Sequence, residues 1–189
     1  MDERRAQLLA VGLTMFSQRA YDEVSVDEVA RAASVSKGLL YHYFPTKRDL
    51  YVGALRLAAS RLLAETDIAE ATPGERVERS LSTYLDFVER HGPAYGALMR
   101  GGIGSDPEVG GILAETRATF AERVVRDVPP ALATPLVRAA LRGWIGFVEA
   151  TALEWVARRD VPRADLVALL MGVLIDAISR ASGAPFALP

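Results

Sequence analysis

Val24-Ser25-Val26-Asp27-Glu28-Val29-Ala30-Arg31-Ala32-Ala33 is followed, after Ser34 and Val35, by Ser36-Lys37-Gly38-Leu39-Leu40-Tyr41-His42-Tyr43-Phe44-Pro45. Two short helices read out of this stretch. Ser25 with Glu28 three residues on is a capping box, and it opens a helix that ends near Ala33. Ser36 is a natural N-cap for the next helix, which runs to about Phe44, because Pro45 disfavours helical geometry in the residue before it. Two short helices joined by a tight turn predict a helix-turn-helix. That geometry needs a small residue where the helices cross, supplied by Ala30. It also needs apolar residues to clamp one helix on the other, here Val29, Val35, Leu40 and Phe44. Lys37, Gly38, Leu39, Tyr41, His42 and Tyr43 then occupy or border the outward face. A helix so placed presents its first residues to base edges in a major groove, and Gly38 lets the backbone approach closely.

Working outward, a first helix from Asp2 to Gln18 places Leu9, Leu13 and Phe16 on one face. Thr46 with Asp49 caps a fourth helix from Lys47 to Glu65. A hinge over 66–74 is expected to separate two units. Beyond it, Gly- and Pro-containing breaks at His91-Gly92-Pro93, Gly101–Ser105, Val128-Pro129-Pro130 and Asp160-Val161-Pro162 divide the chain into helices at roughly 74–91, 93–100, 106–127, 134–159 and 162–181. No segment reads as a strand, so the expected fold class is all-α.

The chain has 189 residues, 50% of them hydrophobic and 24% charged, the composition of a folded protein rather than a disordered one. Its net charge of -2 excludes a polycation that coats nucleic acid or membranes indiscriminately. The distribution says more. Residues 1–50 carry seven basic and seven acidic side chains, yet Val29 to Arg48 contains no acid while holding Arg31, Lys37, Lys47 and Arg48. Lys37 and Lys47 are the only two lysines. A compact basic window on a mildly acidic body is the footprint expected of one end that docks on phosphates, or a chance fluctuation in a short window. Without cysteine there are no disulfides, thiolate nucleophiles or zinc fingers, and the two histidines, His42 and His91, are too few for a histidine-rich metal site. Neither has a catalytic partner by spacing, and no Gly-rich phosphate loop follows a strand, so no enzyme, metal or cofactor is expected. The longest apolar run, Leu166 to Ile175, is ten residues where a membrane span needs roughly 20. The default expectation is a cytoplasmic protein that does not enter a membrane.

The segment from Val24 through Phe44 and Lys47, with Phe16 and Tyr21 upstream and Leu50 downstream, resembles the N-terminal domain of the TetR/AcrR family of one-component bacterial transcription regulators. The Tyr41-His42-Tyr43-Phe44 ending followed by Lys47 carries most of the likeness. The resemblance implies a helix-turn-helix DNA-binding domain over 1–50, linked by helix 47–65 to a helical ligand-binding and dimerisation domain over 66–189. It implies that Lys37, Gly38, Leu39 and His42 approach bases while Ser36, Tyr41, Tyr43, Thr46 and Lys47 hold phosphates. Phenolic hydroxyls suit that role, and Lys47 with the N–H groups at Thr46 sits at a helix N-terminus, a natural phosphate site. Tyr41 and Tyr43 could instead pack on the first helix. Two positions depart from the family, which usually has Gly where this chain has Ala20 and Ser34. Were both backbones at positive φ, each substitution would cost around 1 kcal/mol.

The second half is read from physics. Ala139, Gly143, Gly146 and Ala150 form one stripe and Ala168, Gly172 and Ile175 another. Small residues let helices approach closely, so two helices per subunit meeting their copies would make a four-helix homodimer interface, as the family resemblance also implies, although such stripes also occur inside monomers. Tyr84, Phe87, His91, Met99, Phe120, Trp144 and Phe147 could line a cavity for a small hydrophobic or aromatic effector, although aromatics at helical spacing are more often plain core. The leading function is a ligand-responsive repressor that binds a palindromic double-stranded operator as a dimer. The alternatives are an enzyme or carrier, and a small-molecule-binding helical dimer that does not bind DNA.

Overall fold

The capping signals become helices at the positions they mark. In the computed structural model, residues 3–100 and 102–188 are described, and they contain helices and no strand. The helices are α1 (Glu3–Gln18), α2 (Val26–Ala32), α3 (Lys37–Tyr43), α4 (Lys47–Glu65), α5 (Pro73–Arg100), α6 (Pro107–Asp127), α7 (Pro135–Arg158) and α8 (Arg163–Ser182), with 3-10 turns at Tyr21–Glu23 and Gly102–Ser105. Among the described residues, no helix is long and apolar enough to cross a membrane.

One expected boundary is absent. His91-Gly92-Pro93 does not end a helix, because α5 runs unbroken from Pro73 to Arg100. Pro93 has no N–H for the Glu89 carbonyl, a defect worth about 3 kcal/mol in an isolated helix. Packing on both sides outweighs it. Leu85 and Val88 are fully buried before the proline and Leu98 is buried after it, each worth about 1.5–3 kcal/mol.

The chain forms two compact units, Met1–Arg61 with Arg90–Leu113, and Leu62–Glu89 with Ala114–Pro189. The changeovers between them fall inside α4, α5 and α6. The core of the first unit explains why. Leu8, Leu9 and Phe16 of α1, Val29 and Ala30 of α2, Leu40 of α3 and Leu50, Val52 and Ala54 of α4 pack with Leu98, Val109 and Ile112 from beyond the expected hinge. Phe16, Tyr21 and Tyr51 form an aromatic group with edge contacts at centroid distances of 5.0 Å. Burial pushes the Tyr51 hydroxyl up to about 12.

In the second unit α7 and α8 pack through Leu141, Trp144, Ile145, Val148, Ala152 and Trp155 on one side and Leu166, Leu170, Leu174 and Ile178 on the other. The Trp144 indole N–H donates to the Leu170 carbonyl at 2.9 Å, tying the two helices together. Thr66, nearly fully buried, donates its hydroxyl to the Leu62 carbonyl and accepts from Arg123, whose guanidinium also bonds the Leu63 carbonyl at 2.8 Å.

Candidate nucleic-acid interface

The capping box of α2 forms as read. Glu28 N–H donates to Ser25 Oγ at 3.1 Å, and Ser25 N–H donates to Glu28 Oε2 at 2.8 Å. That bond and the Arg19 guanidinium hold the Glu28 carboxyl at about 2. At the other end Ser34 N–H bonds the Arg31 carbonyl and Val35 N–H bonds the Ala30 carbonyl. This pattern is a Schellman motif, with Ser34 in the left-handed position at φ 54. Val35 packs on the core just beyond. Of the two departures from the family, then, only Ser34 carries backbone strain, since Ala20 is extended at φ -60 and ψ 154.

The Ser36 hydroxyl accepts from Leu39 N–H at 3.1 Å and starts α3. Leu40 is 1% exposed and Phe44 2%, so they fix this helix to the unit's core and decide which side faces out. Ser36, Lys37, Gly38, Tyr41 and His42 are exposed, and Leu39 is half-buried. The two tyrosines separate. Tyr41 stands in solvent, whereas Tyr43 packs partly into the core with its ring against His42 at 5.3 Å. α3 thus has an apolar back and a polar, slender front.

The basic window is less free than its sequence suggests. Arg48 makes a bidentate pair with Asp106, Nε to Oδ2 at 2.6 Å and Nη2 to Oδ1 at 2.7 Å, and adds Glu108 at 3.1 Å. Arg56 holds the same Glu108 at 3.2 Å. Asp106 also accepts Glu108 N–H and Val109 N–H, capping α6, and the Arg48 guanidinium holds its carboxyl down at about 2. Arg48 is a bridge within the first unit rather than an idle cation. Asp106-Pro107 was legible as a helix start; its partner 58 residues away was not. Lys37 pairs with Asp27, and Lys47 sits over the Tyr21 ring, 4.3 Å from its centroid.

Thr46 and Asp49 form the cap read from the sequence. The Thr46 N–H donates to Asp49 Oδ2 at 3.0 Å and its hydroxyl to the same oxygen at 2.7 Å, while Asp49 N–H returns a bond to Thr46 Oγ1. The Thr46 N–H is therefore occupied by a carboxylate, and a phosphate there would have to displace it.

The residues expected around an effector fall in both units. Tyr84, Phe87, Phe120, Trp144 and Phe147 lie in the second unit, His91 and Met99 in the first. Tyr84 and Trp144 are buried, Phe87, His91, Met99 and Phe120 half-buried, and Phe147 is 38% exposed. His91 lies inside α5 rather than at a helix end. The stripe residues Ala139, Gly143, Gly146 and Ala150 of α7 and Ala168 and Gly172 of α8 all face solvent, with Ile175 half-buried. A Cβ added at Gly143, Gly146 or Gly172 would meet nothing within 4 Å. Leu136, Phe147 and Leu169 are exposed on the same two helices.

A helix-turn-helix module with its front exposed, continued by a helical body, defines a helix-turn-helix regulator by architecture. Comparison with known proteins agrees. Residues 8–54 match the model described as bacterial regulatory proteins, tetR family, and residues 73–175 match the tetracyclin repressor-like C-terminal domain. The HTH-type transcriptional repressor KstR of Mycobacterium tuberculosis is 31% identical over 90% of this chain and 81% of its own length. The HTH-type transcriptional activator FasR of Mycolicibacterium smegmatis is 31% identical over 57% of this chain, which spans about half (51%) of that protein. Among solved structures, a tetR-family transcriptional regulator from Streptomyces coelicolor superposes with a TM-score of 0.85 at 37% identity, over 97% of this chain and 83% of that one. The chain belongs to the tetR family of bacterial regulatory proteins.

Proposed function

We propose that this chain is a one-component repressor that binds a two-fold symmetric DNA operator as a homodimer and is released by a small hydrophobic effector. The observation that carries this reading is the split character of α3. Leu40 anchors its back, and Lys37, Gly38, Tyr41 and His42 stand exposed on its front. Lys37, Gly38, Leu39 and His42 read base edges. Ser36, Tyr41, Tyr43, Thr46 and Lys47 position the helix on phosphates, with Asp49 yielding the Thr46 N–H when DNA arrives. The second copy packs against the exposed small-residue face of α7 and α8, where apolar Leu136, Phe147 and Leu169 gain burial. Within the second unit, Tyr84, Phe87, Phe120 and Trp144 supply the effector contacts. Trp144 is the weaker member of that set, since its N–H already serves α8. An effector acts by binding one separation of the two reading helices better than another.

Selection of bound fragments from random duplex DNA tests the reading. The expected product is a two-fold symmetric consensus whose half-sites lie about one helical turn, or a multiple of it, apart. No enrichment, or enrichment of a single asymmetric half-site, overturns it.

A further inference from the structure

Most carboxylates near the reading helix serve the helix ends beside them. Glu23 accepts the Ala20 N–H, Glu28 the Ser25 N–H and Asp49 the Thr46 N–H. Asp27 does something else. It stands in the first turn of α2, but its carboxylate crosses the turn to α3 and meets the Lys37 ammonium through both oxygens, Oδ1 at 2.9 Å and Oδ2 at 3.1 Å. The side chains are 59% and 53% exposed, so burial does not force the pairing. The hydrogen bond that the Lys37 ammonium donates to Asp27 raises the Lys37 pKa, which keeps the ammonium charged.

Lys37 is the first residue of α3, the position that such a helix offers to base edges. A free ammonium there would take any phosphate, since phosphate contacts carry no sequence information. A carboxylate beside it changes the competition. It repels a phosphate directly and must be matched by whatever replaces it at the ammonium. The O6 and N7 acceptors of a guanine edge offer Lys two partners without a full negative charge. Discrimination built from a repulsive element is a common route to specificity.

We infer that Asp27 is a specificity-determining residue for DNA: it withholds Lys37 from indiscriminate phosphate contact, so that the lysine engages a base edge in the correct site. The inference rests on the DNA-binding reading above. A purely structural role for the pair, stapling α2 to α3, would move thermal stability and leave the salt dependence of DNA binding alone.

The test is a double-mutant cycle of wild type, Asp27→Asn, Lys37→Met and the double variant. Fluorescence anisotropy follows binding to the selected operator and to a random-sequence duplex across a salt series, with thermal melts confirming that each variant is folded. Asp27→Asn is expected to steepen the random-duplex slope of log K on log salt by about 0.9 per subunit, one phosphate's worth of released counterion. That is an extra fall in affinity of about threefold per subunit between 50 and 200 mM salt. The same change should raise random-duplex affinity more than operator affinity, and in the Lys37→Met background it should do neither. Equal gains in both backgrounds, or an unchanged slope and specificity ratio, overturn the role of Asp27. Wild type that binds neither duplex in a salt-dependent way overturns the DNA-binding reading and this inference together. An operator-binding wild type with an uncoupled cycle overturns this inference alone.

Discussion

Replacing Ser34 and Ala20 by glycine, one at a time, should shift stability in opposite directions, although family resemblance favours glycine at both. At φ 54 Ser34 bears the left-handed penalty of an L residue, about 1–2 kcal/mol. Ser34→Gly removes that penalty and adds freedom to the unfolded chain, which returns roughly 0.4–1 kcal/mol against it. Ser34 is exposed, so no packing is lost, and a net gain of about 0.5–1 kcal/mol is expected. Ala20 is extended at φ -60, where any residue is comfortable. Ala20→Gly therefore has nothing to relieve and should cost about 0.5–1 kcal/mol through the unfolded state alone. For a chain of this size each corresponds to a Tm change of about 1–4 °C. Urea unfolding with an unchanged m-value would confirm that stability alone moved. Shifts of the same sign, or a destabilised Ser34→Gly, would refute the backbone argument.

Three further outcomes are expected. Gly53→Ala places a Cβ 2.7 Å from Leu9 Cδ2, and Leu9 is buried with little room to turn, so thermal unfolding should show a loss of about 1–3 kcal/mol. Gly146→Arg on the open face of α7 should leave monomers at micromolar concentration in sedimentation, against dimers for wild type; an unchanged mass rules out that face as the interface. The third concerns acid. The Asp106 carboxyl is depressed to about 2 by Arg48, so its contribution is fully present above the usual carboxylate range and is lost as pH falls from about 4 towards 2. Arg48→Met should flatten the dependence of Tm on pH across that window, and an unaltered profile would show that the pair does not act on stability.

The local parts of this fold were legible because their causes are local. Ser25 with Glu28, Ser36, and Thr46 with Asp49 mark helix starts through bonds spanning three residues, and each formed as read. The alternation of Leu40 and Phe44 with Lys37, Tyr41 and His42 likewise fixed which side of α3 faces outward. What failed depended on distant partners. Pro93 reads as a helix break until the burial of Val88 and Leu98 on either side is known. Arg48 counts as a free cation of the basic window until Asp106 is found beside it. Leu98, Val109 and Ile112 join a core made mostly from the first 54 residues, a long-range contact that loop composition does not announce.

Both lysine side chains of this protein belong to the helix-turn-helix and the helix that follows it, Lys37 paired at the surface and Lys47 resting on an aromatic ring. Acylating reagents, and enzymes that acetylate lysine, consequently have no other ε-amine to modify in these 189 residues. Each modification would cancel one of the positive charges nearest the reading helix. Labelling read at the ε-amines, in the presence and absence of DNA, would give a footprint from two sites, with the arginine side chains silent.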